Sequence, residues 1–352
     1  MSRFFSSKYS GLVPYTPGEQ PQDMRYIKLN TNESPFPPSE KARKYSAEAL
    51  EKLQLYPDPE CTRLREKLAE ILGVEPCEIL PTNGSDEILN FAFMAFGDEA
   101  HPAIFPDITY GFYTVYAELN GVPYREIPLK DDFTIDLSDY IGANKTIFIA
   151  NPNAPTGIAL KRCDIEKILE SNPDNVVVID EAYVDFGNES CVPLIHKYPN
   201  LLVTQTFSKS RSMAGARLGF GVACPELIRD LNTVKYSTNP YNINGMTMAA
   251  GIGALEDEEY TRANCRMIIK NREYTSTELK NLGFVMTDSG TNFVFAKHPD
   301  IDGGKLYSEL KSRGILVRHF DKEKISEYNR ITIGTHEQME AFINAVREIL
   351  GQ

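Results

Sequence analysis

The chain has 352 residues, 42% of them hydrophobic and 24% charged. That is the composition of an ordinary globular protein, large enough for one big domain and a smaller companion. A net charge of -12 with no long basic run argues against nucleic acid as a partner. No apolar run approaches the ~18 residues needed to span a bilayer, and residues 1–15 lack the apolar centre of a signal peptide. The six scattered cysteines form no Cys-x-x-Cys pair. They read as free thiols of a cytoplasmic protein rather than as a disulfide framework or a metal site.

In chain order, residues 1–38 are rich in Pro, Ser and Asn and read as an arm lying on other structure. A helix is expected from Ser39 to Leu53 with Ser39 as its cap, and a second from Thr62 to Leu72, ended by Gly73. Candidate strands then follow at Ala103–Phe105, Thr146–Ala150, Val176–Ile179, Leu201–Thr206 and Leu218–Ala223. Helical patterns at Asp86–Phe96, Phe112–Leu119 and Asp164–Leu169 separate several of them. This alternation predicts a mostly parallel sheet with helices on both faces, an α/β/α sandwich. The run Val176-Val177-Val178-Ile179 is apolar without alternation, as in a strand buried on both sides. After Asn239-Pro240 the character changes. A long helix is expected from Asp257 to Leu282, then strands at Asn292–Ala296, Ile315–Arg318 and Arg330–Ile333, and a last helix from His336 to Ile349. The expected division is an arm (1–38) packing on the small domain, a large domain (39–240) and a small α+β domain (241–352).

Asp180 ends the most apolar strand, and ligands of open α/β sheets bind at the carboxyl ends of strands. Taken alone, a helix cap or an ion pair would explain it better than a function. Lys209 follows the next strand, and Arg217 stands eight residues on, beyond a small flexible stretch (Met213-Ala214-Gly215-Ala216); each alone reads as a surface residue. Asn83-Gly84-Ser85-Asp86 precedes a helix. It is either a simple cap or an anion cup, built from free N–H groups and the positive end of the helix dipole. Together these residues suggest one ligand carrying a phosphate, a basic heterocycle and an aldehyde.

The ordered set Asn83-Gly84-Ser85-Asp86, Tyr110, Asn151-Pro152-Asn153-Ala154-Pro155-Thr156-Gly157, Asp180-Glu181-Ala182-Tyr183, Ser208-Lys209, Arg217 and Arg330 resembles the fold-type I aminotransferases, which use pyridoxal 5'-phosphate. Leu29-Asn30-Thr31-Asn32-Glu33, Tyr56-Pro57, Thr291-Asn292-Phe293 and Val13-Pro14-Tyr15 are similar to segments of the histidinol-phosphate aminotransferase family. The resemblance implies that Lys209 carries the cofactor as a Schiff base and moves the reacting proton. Asp180 would pair with the ring nitrogen, Tyr183 with the ring hydroxyl, and Tyr110 would stack on the ring. Gly84, Ser85, Asp86, Ser208 and Arg217 would hold the phosphate, with Tyr56 reaching across a homodimer to the neighbour's phosphate. Tyr15, Asn32, Asn292, Arg318 and Arg330 would contact substrate, and no metal is expected.

The sequence departs from the family at Ala154, where an asparagine usually bonds the ring hydroxyl, so the resemblance leaves that role either to Asn153 through a shifted loop or to Tyr183 unaided. Ile108 stands where a proline is common. The activity implied is transamination between L-histidinol phosphate and 2-oxoglutarate. The alternatives are a threonine-phosphate decarboxylase, an aromatic aminotransferase and, remotely, a non-catalytic regulatory domain that binds the same cofactor.

Overall fold

The structure, a computed structural model, describes residues 2–351. The arm carries a short strand, β1 (Ile27–Leu29), and leads into helices α1 (Glu40–Ala49) and α2 (Thr62–Leu72). Then come β2 (Ile79–Thr82), α3 (Ser85–Phe96), β3 (Ala103–Pro106), α4 (Phe112–Asn120), β4 (Tyr124–Ile127), β5 (Thr146–Ala150) and α5 (Arg162–Ser171). They are followed by β6 (Val177–Asp180), β7 (Leu201–Thr206), β8 (Gly219–Ala223), α6 (Pro225–Thr238) and α7 (Gly245–Leu255). The C-terminal part holds α8 (Glu258–Asn281), β9 (Val285–Met286), β10 (Phe293–Lys297), α9 (Gly303–Ser312), β11 (Ile315–His319), β12 (Asn329–Thr332) and α10 (His336–Leu350). Among the described residues no helix is long and apolar enough to cross a membrane.

The large sheet has seven strands in the order β2-β8-β7-β6-β5-β3-β4. Strands β7, β6, β5, β3 and β4 run parallel, and β8 is antiparallel to both β7 and β2. Its central strands are apolar on both faces because both are covered. Ile147, Ile149, Val177, Ile179 and Val203 pack with residues of α2, α5 and α7. Phe148, Val178 and Leu202, one position out of step, pack with α3, α4 and α6. This is the three-layer sandwich predicted from the unalternating strands.

Two edge strands of this sheet escape the sequence pattern. β2 contains Pro81, which an edge position tolerates because no neighbour needs its missing N–H. β4 (Tyr-Arg-Glu-Ile) is exposed at three of its four residues, so it has little apolar signal to offer. Helices α6, α7 and α9 were also not anticipated. α7 is rich in glycine and alanine, which present weak periodicity.

The second sheet has the order β1-β11-β12-β10-β9, antiparallel except where β1 runs parallel to β11. Its core of Phe293, Val294, Ile315, Val317 and Ile331 packs against Leu279 of α8, Leu306 and Leu310 of α9, and Phe342, Ile343 and Val346 of α10. The arm is thus tied to the small unit by backbone pairing. A boundary at residue 240 would put α7 in that unit, yet Ala250, Ala254 and Leu255 of α7 share a core with Ala42, Leu64 and the large sheet. We therefore place the small domain's beginning near Asp257.

Candidate active site

The carboxyl ends of β5, β6 and β7 open into a cavity of ≈ 200 Å³. Ser85, Asp86, Tyr110, Asp180, Tyr183, Ser208, Lys209 and Arg217 all line it. The fold delivers them from separate places. Asp180 is the last residue of β6, Lys209 follows β7, Ser85 and Asp86 begin α3, and Arg217 precedes β8. Gly219 on β8 permits this convergence, since any side chain there would collide with the backbone of Gly84 and Ser85.

Asp180 is buried, and burial pushes its carboxyl up to about 6. Three donors work against that push. The Tyr113 hydroxyl donates to Oδ2 at 3.1 Å, the Thr204 hydroxyl to Oδ1 at 3.1 Å, and the Ala182 backbone N–H also helps hold the charged form. The neighbouring Glu181 is pushed up to about 7 by burial. It faces away from this group, accepting from Ser190, the Cys191 N–H and Gln205.

Gly84 caps α3 with φ 79° and provides no side-chain acceptor; the Glu87 N–H turns back to the Gly84 carbonyl at 3.3 Å, which leaves the Ser85 and Asp86 N–H groups to meet an external anion. Arg217 crosses directly over this glycine; a Cβ on Gly84 would lie 2.7 Å from its Nη2. The Asp86 carboxylate is already engaged, holding Arg217 at 2.7 Å and accepting the Tyr110 hydroxyl at 2.6 Å. Burial, with Asp86 beside it, holds the Tyr110 phenol well above its ordinary pKa. Arg217 itself sits at φ 56°, a left-handed conformation uncommon outside glycine and asparagine. The Lys209 side-chain nitrogen has, among the described residues, one weak polar contact, to the Thr31 carbonyl at 3.4 Å, and lies 5.8 Å from the centre of the Tyr183 ring.

A second, wider cavity of ≈ 690 Å³ adjoins the first and shares Thr31, Tyr110, Ala154, Tyr183 and Lys209 with it. Tyr15, Asn32, Arg318 and Arg330 line this outer space. Tyr15 stacks on Phe112 with ring centres 4.2 Å apart, so the arm touches the large domain as well as the small one. Arg330 is half-buried, and desolvation of its guanidinium pulls its pKa below the ordinary value. It donates to the Asn30 carbonyl at 3.0 Å, while its Nε has no partner among the described residues.

Other expected site residues fall elsewhere. Asn153 does not line either cavity. Its side chain is committed to its own loop, donating to the Ile108 carbonyl (2.9 Å) and Thr156 (3.0 Å) and accepting from Thr109 (2.7 Å). The Tyr183 hydroxyl instead accepts from Asn32 Nδ2 at 2.9 Å, so a residue expected against substrate is the one that orients Tyr183. Asn292 lies behind Asn32, donating to its carbonyl at 3.0 Å. Tyr56 is 82% exposed, stacked on Tyr241 and remote from both cavities of its own chain. Thr31, Glu33 and Thr206 also line the inner cavity, where no site role is expected of them from the sequence. Glu33 stands in the Asn-Glu-Ser-Pro run beside Asn32, so position alone could have marked it, whereas Tyr113 and Thr204 sit in apolar segments with no sequence signal.

The model of the aminotransferase class I and II family matches residues 25–346. A histidinol-phosphate aminotransferase of Brachyspira hyodysenteriae is 49% identical over 352 residues, covering 99% of each chain. The crystal structure of the histidinol-phosphate aminotransferase from Clostridium acetobutylicum superposes with a TM-score of 0.85 at 25% identity, over 92% of this chain and 98% of that one. The histidinol-phosphate aminotransferase of Sinorhizobium meliloti, solved with pyridoxal-5'-phosphate, shares the fold with a TM-score of 0.84 at 23% identity, over 92% of this chain and 91% of that one. Matched by the family model over most of its length and by relatives end to end, this chain belongs to the class I and II aminotransferases.

Proposed function

We propose that this protein transfers the amino group of L-histidinol phosphate to 2-oxoglutarate, giving imidazole acetol phosphate and L-glutamate in histidine biosynthesis, with pyridoxal 5'-phosphate as cofactor. The observation that carries the reading is near-half identity, over the whole chain, to an enzyme of that name. The inner cavity suits the cofactor on three counts. It has an amine nearly free of partners in Lys209, a buried carboxylate in Asp180, and an anion cup where Gly84 admits Arg217 to the start of α3.

Bound there, the cofactor supplies a protonated ring that withdraws electrons from the carbon being deprotonated. The chain's own groups do the rest. Lys209 would hold the cofactor through its side-chain amine, and the same amine would carry the proton taken from the substrate's amine-bearing carbon. Asp180 would keep the ring nitrogen protonated, and Tyr183, oriented by Asn32, would hold the ring hydroxyl. Tyr110 would cover one ring face. Ser85, Asp86, Ser208 and Arg217 would take the phosphate, Asp86 through its backbone N–H because its carboxylate is occupied by Arg217 and Tyr110. Arg330, with Arg318 beside it in the outer cavity, accepts the substrate phosphate in one half-reaction and a carboxylate in the other. The planar guanidinium fork suits both anions.

We place a second copy of the chain against the exposed face around Tyr56 and Tyr241, so that Tyr56 completes the neighbour's phosphate site. A cytoplasmic homodimer is the resulting assembly.

The test is an assay of purified protein. Glutamate should form from 2-oxoglutarate only when histidinol phosphate is supplied, and borohydride should fix the cofactor on Lys209. Release of CO2 from threonine phosphate without any keto acid, or faster turnover of tyrosine or phenylalanine, would move the assignment to the decarboxylase or the aromatic aminotransferase.

A further inference from the structure

Asp180 is held more elaborately than a simple counter-ion requires. Its two carboxylate oxygens receive hydroxyls from two different elements, Tyr113 on α4 and Thr204 on β7, each at 3.1 Å. Tyr113 is among the largest fully buried side chains of the protein, and Thr204 is equally inaccessible. Neither lines the cavity. A tyrosine hydroxyl and a threonine hydroxyl in an apolar layer are costly unless each is paired, and for both the partner is this one carboxylate. We propose that Tyr113 and Thr204 are positioning residues for cofactor binding: their hydroxyls fix the plane of the Asp180 carboxylate and hold it as an anion facing the ring nitrogen. The inference rests on the reading of the inner cavity as the pyridoxal phosphate site.

The charged and titratable surroundings are compatible with this role. Asp86 on α3 opposes ionisation of Asp180, but it is paired with Arg217. Lys209 after β7 and Tyr183 after β6 line the same cavity as Asp180, and Tyr116 on α4 lies behind it. Apart from Asp180's own backbone neighbour Ala182, the donors that favour its anion are Tyr113 and Thr204. Removing a donor from a carboxylate stabilises its protonated form, so the acid limb of cofactor binding must move to higher pH.

The experiment uses the full-length protein stripped of cofactor and titrated with pyridoxal 5'-phosphate between pH 5 and 8.5, followed by visible absorbance. Tyr113→Phe keeps the ring and its packing; Thr204→Val and Thr204→Ser form a second pair, one without the hydroxyl and one with it. For Tyr113→Phe and Thr204→Val the dissociation constant at neutral pH should rise about tenfold, the scale of one hydrogen bond to a charged group. Their acid limb should move upward, while Thr204→Ser stays near wild type. Melting temperatures of the apoproteins identify any variant that fails to fold, and the other position then decides. Acid limbs identical to wild type in the folded variants would overturn the proposal, as would weakened binding with no movement of the limb. A wild-type protein that takes up no cofactor would instead sink the reading on which the proposal rests.

Discussion

Replacing Asn32 by alanine should destabilise the apoprotein by about 3 kcal/mol. The Asn32 side chain donates to the Tyr183 hydroxyl at 2.9 Å and accepts from the Thr332 hydroxyl at 3.1 Å. Each bond contributes about 1 kcal/mol net, and both partners are buried, so neither regains water freely. Asn32 also sits at φ 56°, which asparagine tolerates and alanine resists by a further ~1 kcal/mol. The assay is equilibrium urea unfolding of four proteins: wild type, Asn32→Ala, Tyr183→Phe and the double variant. The cycle should show a coupling of about 1 kcal/mol between positions 32 and 183. The same cycle with Asn153→Ala should show almost none, because Asn153 is bonded to Thr109, Ile108 and Thr156 instead. Coupling found at Asn153 and absent at Asn32 would refute the assignment of Asn32 as the residue that orients Tyr183.

Gly84→Ala should weaken cofactor binding by at least about tenfold in an absorbance titration, since the new Cβ would displace the Arg217 guanidinium and is also strained at φ 79°. Arg330→Lys should raise KM for both the phosphorylated amine and the keto acid by about tenfold or more, because a lysine presents no planar fork to an anion; steady-state kinetics with each substrate varied in turn will show it. Burial pushes Asp180 up to about 6 in the fold, against about 3.9 unfolded. Its protonation therefore favours the folded apoprotein, a contribution complete below about pH 4 and lost as pH rises through about 6. Asp180→Asn, neutral throughout, should accordingly gain about 2–3 kcal/mol relative to wild type between pH 4 and pH 8 in urea unfolding, while losing cofactor affinity.

The strands that carry the site were legible because burial on both faces leaves runs of apolar residues, as at residues 177–179 and 201–203. What could not be read is what depends on contacts between distant segments. β1 is a strand because β11 lies beside it, almost 290 residues on. Asn32 and Asn153 look equally able to bond a ring-hydroxyl partner, and only the folded loop shows that Asn153 has spent its amide on Ile108 and Thr156. Tyr113 reads as one more aromatic on the apolar face of α4. Its hydroxyl becomes meaningful only when α4 is laid across the end of β6. α7 was invisible for a different reason: its glycines serve close approach, as at Gly253, where a side chain would collide with the backbone of Lys41 and Ala42 on α1.

The arm has a consequence for how the site is completed. Asn32 is fixed from the small domain through Thr332 and Asn292, and from the large domain through Tyr183. Thr31, one residue earlier, presents its carbonyl to Lys209. Asn30, one earlier again, holds Arg330 by its carbonyl. Three consecutive residues of the arm therefore touch the Lys209 amine, the Tyr183 hydroxyl and the Arg330 guanidinium. The arm keeps its register by pairing Ile27, Lys28 and Leu29 with Ile315, Leu316 and Val317 of β11, and a slip of one residue would turn Leu29 out of the small-domain core. The geometry of the inner cavity thus depends on the pairing of β1 with β11 of the small domain. Since a ligand stabilises only the state it binds, cofactor uptake should stabilise the arm and the small domain as well as the sheet that carries Lys209.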